Sequence, residues 1–212
     1  MIKFILAACL AAGLGTVAFA QSSDYKKSEF YVGYSNGQID NGVDTGNSFR
    51  DFLDDRTTFH GWEGAGVYNF HRYFGIKGDV SGTYNNKTFA FSTPNGNVAF
   101  KTNNSLYNFL GGIQVKNNGS DARFKPFAHA LIGVGVGHTK IKDVSCTGTA
   151  DCSGLLGSDT ETGFAGAFGG GVDVKLSDKI DLRAIQVDYN PVHFSNTGTD
   201  HNVRLGVGIV FK

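Results

Sequence analysis

The chain has no net formal charge, with 19 Lys and Arg against 19 Asp and Glu, so nothing in its balance points to a nucleic acid or to an acidic substrate held by bulk electrostatics. Cysteine is scarce, with 3 in 212 residues, and Cys9 falls in the amino-terminal apolar segment. No histidine neighbours Cys146 or Cys152 at ligand spacing, which argues against a metal centre there. No stretch after that segment offers the roughly 18 consecutive apolar residues of a membrane helix, so any entry into a bilayer has to be made by strands. Proline (3), Trp (1) and Met (1) are nearly missing. What is present instead is 30 Gly, 18 Phe and 8 Tyr, recurring inside alternating stretches rather than between them, which favours sheet over helix.

Lys3, the apolar run Phe4 to Leu14 and the Ala18, Phe19, Ala20 cleavage signal read as a signal peptide over residues 1–20, removed before Gln21. Leu6, Ala7, Ala8, Cys9 is similar to a lipobox, but cleavage at Cys9 would leave too little apolar segment ahead of it for export. Residues 21–212 then form one domain of the size that β barrels and sandwiches reach.

Alternation predicts eight strands: 29–35, 57–69, 74–84, 105–116, 124–141, 163–176, 180–189 and 203–211. The last is the clearest, with Val203, Leu205, Val207, Ile209 and Phe211 on one face and Arg204, Gly206, Gly208 and Val210 on the other. A terminal strand with so wide an apolar face needs a partner on both edges, and pairing with the first strand supplies the second. The connections alternate, long over 36–56, 85–104, 142–162 and 190–202 and short elsewhere. Short periplasmic turns, four long extracellular loops and an even strand number are the plan of an outer-membrane barrel, so the predicted fold is an all-β, eight-stranded antiparallel up-and-down transmembrane β-barrel.

A soluble lipocalin-like barrel would turn the apolar face inward and the polar face to water. The polar face here suits water poorly, because on strands five and six it is mostly Gly and Ala, and the aromatics Phe70, Tyr73, Phe74 and Phe211 cluster at the short-turn end as an interfacial girdle would. With these features the chain resembles the small outer-membrane β-barrel family of the OmpA/OmpX kind, porin-like in architecture; the stretches 124–134, 169–175 and 186–189 and the Phe211 ending carry the resemblance. The resemblance implies insertion by the outer-membrane assembly machinery, which reads a terminal aromatic residue. Here Phe211 is penultimate and Lys212 follows. With no peptidoglycan-binding domain expected after the barrel, the resemblance implies no cell-wall anchoring role.

With the apolar face outward, Glu63, Lys77, Asp79, Asp173, Lys175, Asp188 and Arg204 project into the lumen, and buried charges are tolerated when paired. An ion-pair plug is the expected arrangement; a narrow ion or small-solute channel is the alternative. Arg183 breaks the phase of its strand, so it either snorkels to a headgroup or swings inward at a bulge. Cys146 and Cys152 are expected to pair as a disulfide that shapes a loop in an exported protein. His129 reads as a hydrogen-bonded lumen residue with no nucleophile beside it. His193 and Ser195 are spaced like the His and Ser of outer-membrane lipid A deacylases, a match of two residues that Pro191 and the loop setting oppose. The expectation is therefore a non-enzymatic, monomeric barrel without cofactor or metal, with outer-membrane lipid around it, a structural or surface-interaction role, and an extracellular ligand at the loops. A lipid-modifying enzyme is the minor alternative.

Overall fold

The computed structural model describes residues 25–40, 56–93, 96–119, 121–148, 152, 154–195 and 198–212. The signal peptide, most of the 36–56 segment, Pro94 and Asn95 of the 85–104 turn, and parts of the 142–162 and 190–202 segments lie outside the described residues. Eight strands follow in order, β1 (Ser28–Asp40), β2 (Arg56–Asn69), β3 (Phe74–Thr93), β4 (Gly96–Lys116), β5 (Phe124–Cys146), β6 (Gly157–Lys175), β7 (Ile180–Phe194) and β8 (Gly198–Phe211), and there is no helix among the described residues. Each strand pairs antiparallel with the next. β8 returns to β1, from Phe30↔Phe211 to Gln38↔Val203, and closes the barrel.

Which face looks out is decided by burial. Ile76, Ile113, Ile132, Phe164 and Phe30 are more than half exposed, whereas Glu63, Lys77, Asp173 and Asp188 have no accessible surface at all. A water-soluble barrel would show the reverse. The exterior is graded along its height. At the turn end stand Phe70, Tyr73, Phe74, Phe124 and Phe211, and toward the other end Tyr34, Trp62, Tyr84, Tyr107 and Tyr189. The second set is polar-tipped: Trp62 Nε1 donates to the Tyr84 hydroxyl at 3.3 Å, Tyr34 hydrogen-bonds His60, and Tyr189 Oη lies 2.5 Å from His201 Nδ1. Rings with an apolar body and a wet tip are the residues that belong at membrane–water interfaces.

The strands run further than the sequence periodicity does. A tilted strand needs about 9–11 residues to cross a bilayer, whereas β3, β4 and β5 have 20, 21 and 23. Most of the added length lies in two of the four long segments between strands. The 85–104 segment is a paired β3–β4 ladder out to Thr93↔Gly96, and 190–202 is largely β7 and β8 paired to Phe194↔Gly198. The reason is physical: beyond the membrane both faces of a hairpin meet water, so the apolar–polar alternation fades while the hydrogen-bonded ladder continues. Gly96 and Gly198, at φ of 136° and 94°, open the strands that leave these two tight ends, a backbone conformation in which a side chain is strained.

Two register shifts re-aim side chains. On β7, Arg183 pairs with Gly208 and Gln186 with Gly206, so one extra residue is accommodated between them. This bulge turns both Arg183 and Gln186 inward and leaves Ile185 outside. On β5 a second irregularity sets Asp143 and Val144 against Phe100, with Asp143 at φ 54°. Cys146, the last residue of β5, is joined to Cys152 as a disulfide.

Candidate functional site

The interior nearest the turn end is built from charges that lie on every strand. Six of the seven residues singled out by alternation, Glu63, Lys77, Asp79, Asp173, Asp188 and Arg204, point into it and are buried. Lys175 does not join them. As the last residue of β6 it reaches the rim, where its partly exposed ammonium sits 2.9 Å from Asp178 and 3.1 Å from Asp121. Its parity is inward, but the ladder stops there and nothing holds the side chain in the lumen.

Arg204 is the hub of one group. Its Nη1 donates to Asp79 Oδ1 at 2.8 Å and to Ser81 Oγ at 3.1 Å, and its Nη2 and Nε donate to Asp188 Oδ2 at 2.8 and 3.0 Å. Lys77 pairs with Asp79 at 3.1 Å and approaches Glu63 at 3.8 Å. His129 sets Nε2 2.9 Å from Asp188 Oδ1 and Nδ1 3.4 Å from Lys77 Nζ. That placement lets Nδ1 accept from Lys77 while the Nε2 edge of the ring faces the Asp188 carboxylate.

Arg183 and Lys116 organise a second group closer to the turn end. Arg183 Nε and Nη2 form a fork on Asp173 at 2.8 and 3.2 Å, and its guanidinium lies between the Tyr31 and Phe127 rings, 4.3 and 4.0 Å from their centroids. A planar, weakly hydrated cation between two aromatic faces is well compensated for its burial. Lys116 Nζ bridges Asp173 at 2.9 Å and both oxygens of Glu29 at 2.8 Å. Gln186 ties the groups together, accepting from Arg183 at 2.8 Å and donating to Glu63 at 2.8 Å and Asp188 at 2.7 Å. At the base, Asp181 is shared by Lys125 at 3.5 Å and Lys212 at 2.6 Å. Burying such groups singly would cost several kcal/mol each, so pairing is what makes the interior tolerable.

Alternation missed Glu29, Lys116, Lys125 and Asp181 as members and left Arg183 between lipid and lumen. Parity carried the signal for four of them: Lys116 is in phase with Gln114 and Asn108, Lys125 with Phe127 and His129, and Glu29 with Tyr31 and Gly33, all buried or inward, while Asp181 is in phase with Arg183. His193 lies on the outer surface, 2.8 Å from Thr199, and Ser195 sits in the turn after β7. No group of three or more His, Cys, Asp or Glu suited to a metal occurs among the described residues.

A closed eight-stranded barrel with apolar residues outside, aromatic bands at both edges and ionised groups within is an integral membrane protein of the outer-membrane type. The chain belongs to the outer membrane protein beta-barrel domain family, whose model matches residues 6–211. It is located in the outer membrane. No curated protein matches it significantly in sequence. Among solved structures, the attachment invasion locus protein Ail of Yersinia pestis in complex with the heparin analogue sucrose octasulfate is similar, with a TM-score of 0.53 and 16% identity over 87% of this chain and 98% of that one. A second Ail structure gives 0.52 and 16% over 88% and 99%. Neisserial surface protein A gives a TM-score of 0.49 and 11% identity, covering 87% of this chain and 96% of that one.

Proposed function

We propose that this protein is a closed, non-enzymatic outer-membrane barrel whose ion network fills the lumen and whose extended strands serve surface interaction. The observation that carries the reading is the continuity of the network. Lys77, Lys116, Arg183 and Arg204 meet Glu29, Glu63, Asp79, Asp173 and Asp188 in pairs, and Gln186 bridges the two groups across the lumen. Eight strands leave an interior only wide enough for side chains, and here those side chains hold one another. The chain carries the termini and short turns at the periplasmic end, and the far ends of β3, β4 and β5 stand in the medium outside the cell. Those extensions are where an extracellular ligand makes contact; the similar protein Ail was solved in complex with a heparin analogue, sucrose octasulfate. The outward position of His193, with its ring engaged by the Thr199 hydroxyl at 2.8 Å, supports a protein without lipid-modifying chemistry. The barrel is inserted as a monomer by the assembly machinery, with Phe211, outward between Phe30 and Ile180, as the aromatic residue read.

Purified protein in planar lipid bilayers tests the reading, with Lys77→Met and Asp79→Asn measured beside the parent. Folded protein that shows no stable single-channel steps in any of the three is the expected result. A steady conductance that either substitution alters would replace the plug by a gated polar pathway.

A further inference from the structure

Beyond the buried charges the interior changes character. Leu106, Leu110, Leu131, Val192 and Phe194 fill it as an apolar layer. Above this layer, at the far end, opens a cavity of about 300 Å³. Ile39, Phe59, Leu106 and Phe194 contribute its apolar surface, while Asp159 and Glu161 of β6 and Asp200 of β8 bring carboxylates to the same wall.

The arrangement follows from the backbone. Glu161 is paired with Gly137 across the β5–β6 ladder, and the missing side chain there leaves room for the Phe194 ring, which a Cβ on Gly137 would meet at 3.3 Å. The carboxylate is thus held beside an aromatic surface. Glu161 Oε1 is buried without a hydrogen-bond partner, and neither Glu161 nor Asp159 is in an ion pair among the described residues. The backbone N–H of the adjacent Thr160 donates to Asp159 Oδ1 at 2.9 Å. Lys87, at the same end, donates to Thr57 at 2.9 Å and does not line the cavity.

The contrast with the deeper interior is informative. There every carboxylate has a cation; here Glu161 and Asp159 stand beside apolar surface with none among the described residues. A concave site with low-dielectric walls concentrates the field of its charges and draws the opposite sign. An inorganic cation would leave the Phe and Leu surface unused, and an apolar neutral molecule would leave a buried carboxylate oxygen unpaired. The volume lies at the small end of ligand sites, enough for one ring or a short chain.

We propose that this mouth cavity binds a small amphipathic organic cation, with an ammonium group at Glu161 and Asp159 and an aromatic or short alkyl body on Phe194, Leu106 and Phe59. The site does not depend on whether the lumen conducts, and its test reads binding alone. The full chain, folded in detergent micelles, is titrated with 2-phenylethylammonium and followed by amide chemical shifts. Uncharged 2-phenylethanol, anionic phenylacetate and empty micelles serve as controls. The expected result is saturable binding of the amine with shifts centred on β6 around Glu161 and on Phe194, and no saturable binding of phenylacetate. The alcohol, and the amine with a folded Asp159→Asn, Glu161→Gln variant, should each bind weaker by about tenfold or more, the loss of one charge-assisted hydrogen bond. Phe194→Ala should also weaken the amine while leaving its preference over phenylacetate. Shifts that do not saturate, equal binding of the alcohol or of phenylacetate, or unchanged affinity in the carboxylate variant would each overturn the proposal.

Discussion

The interior of this barrel is two different solutions to one packing problem. Toward the turn end the space is filled by long charged side chains that reach across it, with Arg183 gripped by Asp173, Tyr31 and Phe127. Toward the far end it is filled by Leu106, Leu110, Leu131, Val192 and Phe194, which need no partners but must fit. The first depends on directed hydrogen bonds and fails when one partner is removed. The second depends on volume, and the glycines of β5 and β6 belong to it: a Cβ on Gly135 would come within 2.9 Å of Val192, and one on Gly163 within 2.9 Å of Phe194. The difference teaches that a bare glycine face opposite a bulky residue is a packing feature, whereas a charge opposite a charge is an electrostatic one.

Substitutions separate the two halves. Arg204→Met leaves Asp79, Asp188 and Glu63 facing one another without their shared cation. The expected cost is about 3–5 kcal/mol, the range for breaking a buried ion pair by removing one partner, read as a lower urea midpoint for the barrel folded in lipid vesicles. Leu131→Ala, in a fully buried position of the apolar half, should cost about 3 kcal/mol through lost transfer energy and the cavity left behind. Its effect should not vary with salt, which distinguishes it from a defect in the ionic half. At the other extreme is Lys175→Ala. Its partners at the rim are exposed and screened by water, so the unfolding midpoint should not move measurably. A large loss there would mean that the turn-end network extends to the rim, and equal salt dependence of the first two variants would erase the distinction between the halves.

Much of this was legible in the residues. The period of two in 203–211 and 74–84 marks strands, and the need of the last strand for a second edge marks closure, now seen in Phe30↔Phe211. The inward set was legible wherever a charge fell in mid-strand, as with Asp79 and Arg204. What resisted reading has three physical origins. A bulge adds one residue with no compositional mark, so Arg183 was undecided until the pairing of β7 with β8 was known. Residues beside turns, such as Lys116 before Asn117 and Lys175 before Leu176, share one parity yet differ in outcome, because whether a side chain reaches inward there depends on a partner across the barrel. Lys116 has Glu29 and Asp173; Lys175 has only Asp121 and Asp178 outside. The far-end cavity needed the pairing itself, since Glu161, Phe194 and Ile39 are distant in sequence and no local motif joins them.

Closure between β1 and β8 also fixes the timing of assembly. The seam joins Phe30 to Phe211, so the first strand waits with one side unsatisfied until almost the entire polypeptide has been delivered. Any product truncated before β8 retains two open edges and, with its greasy exterior, is a substrate for aggregation rather than a smaller barrel.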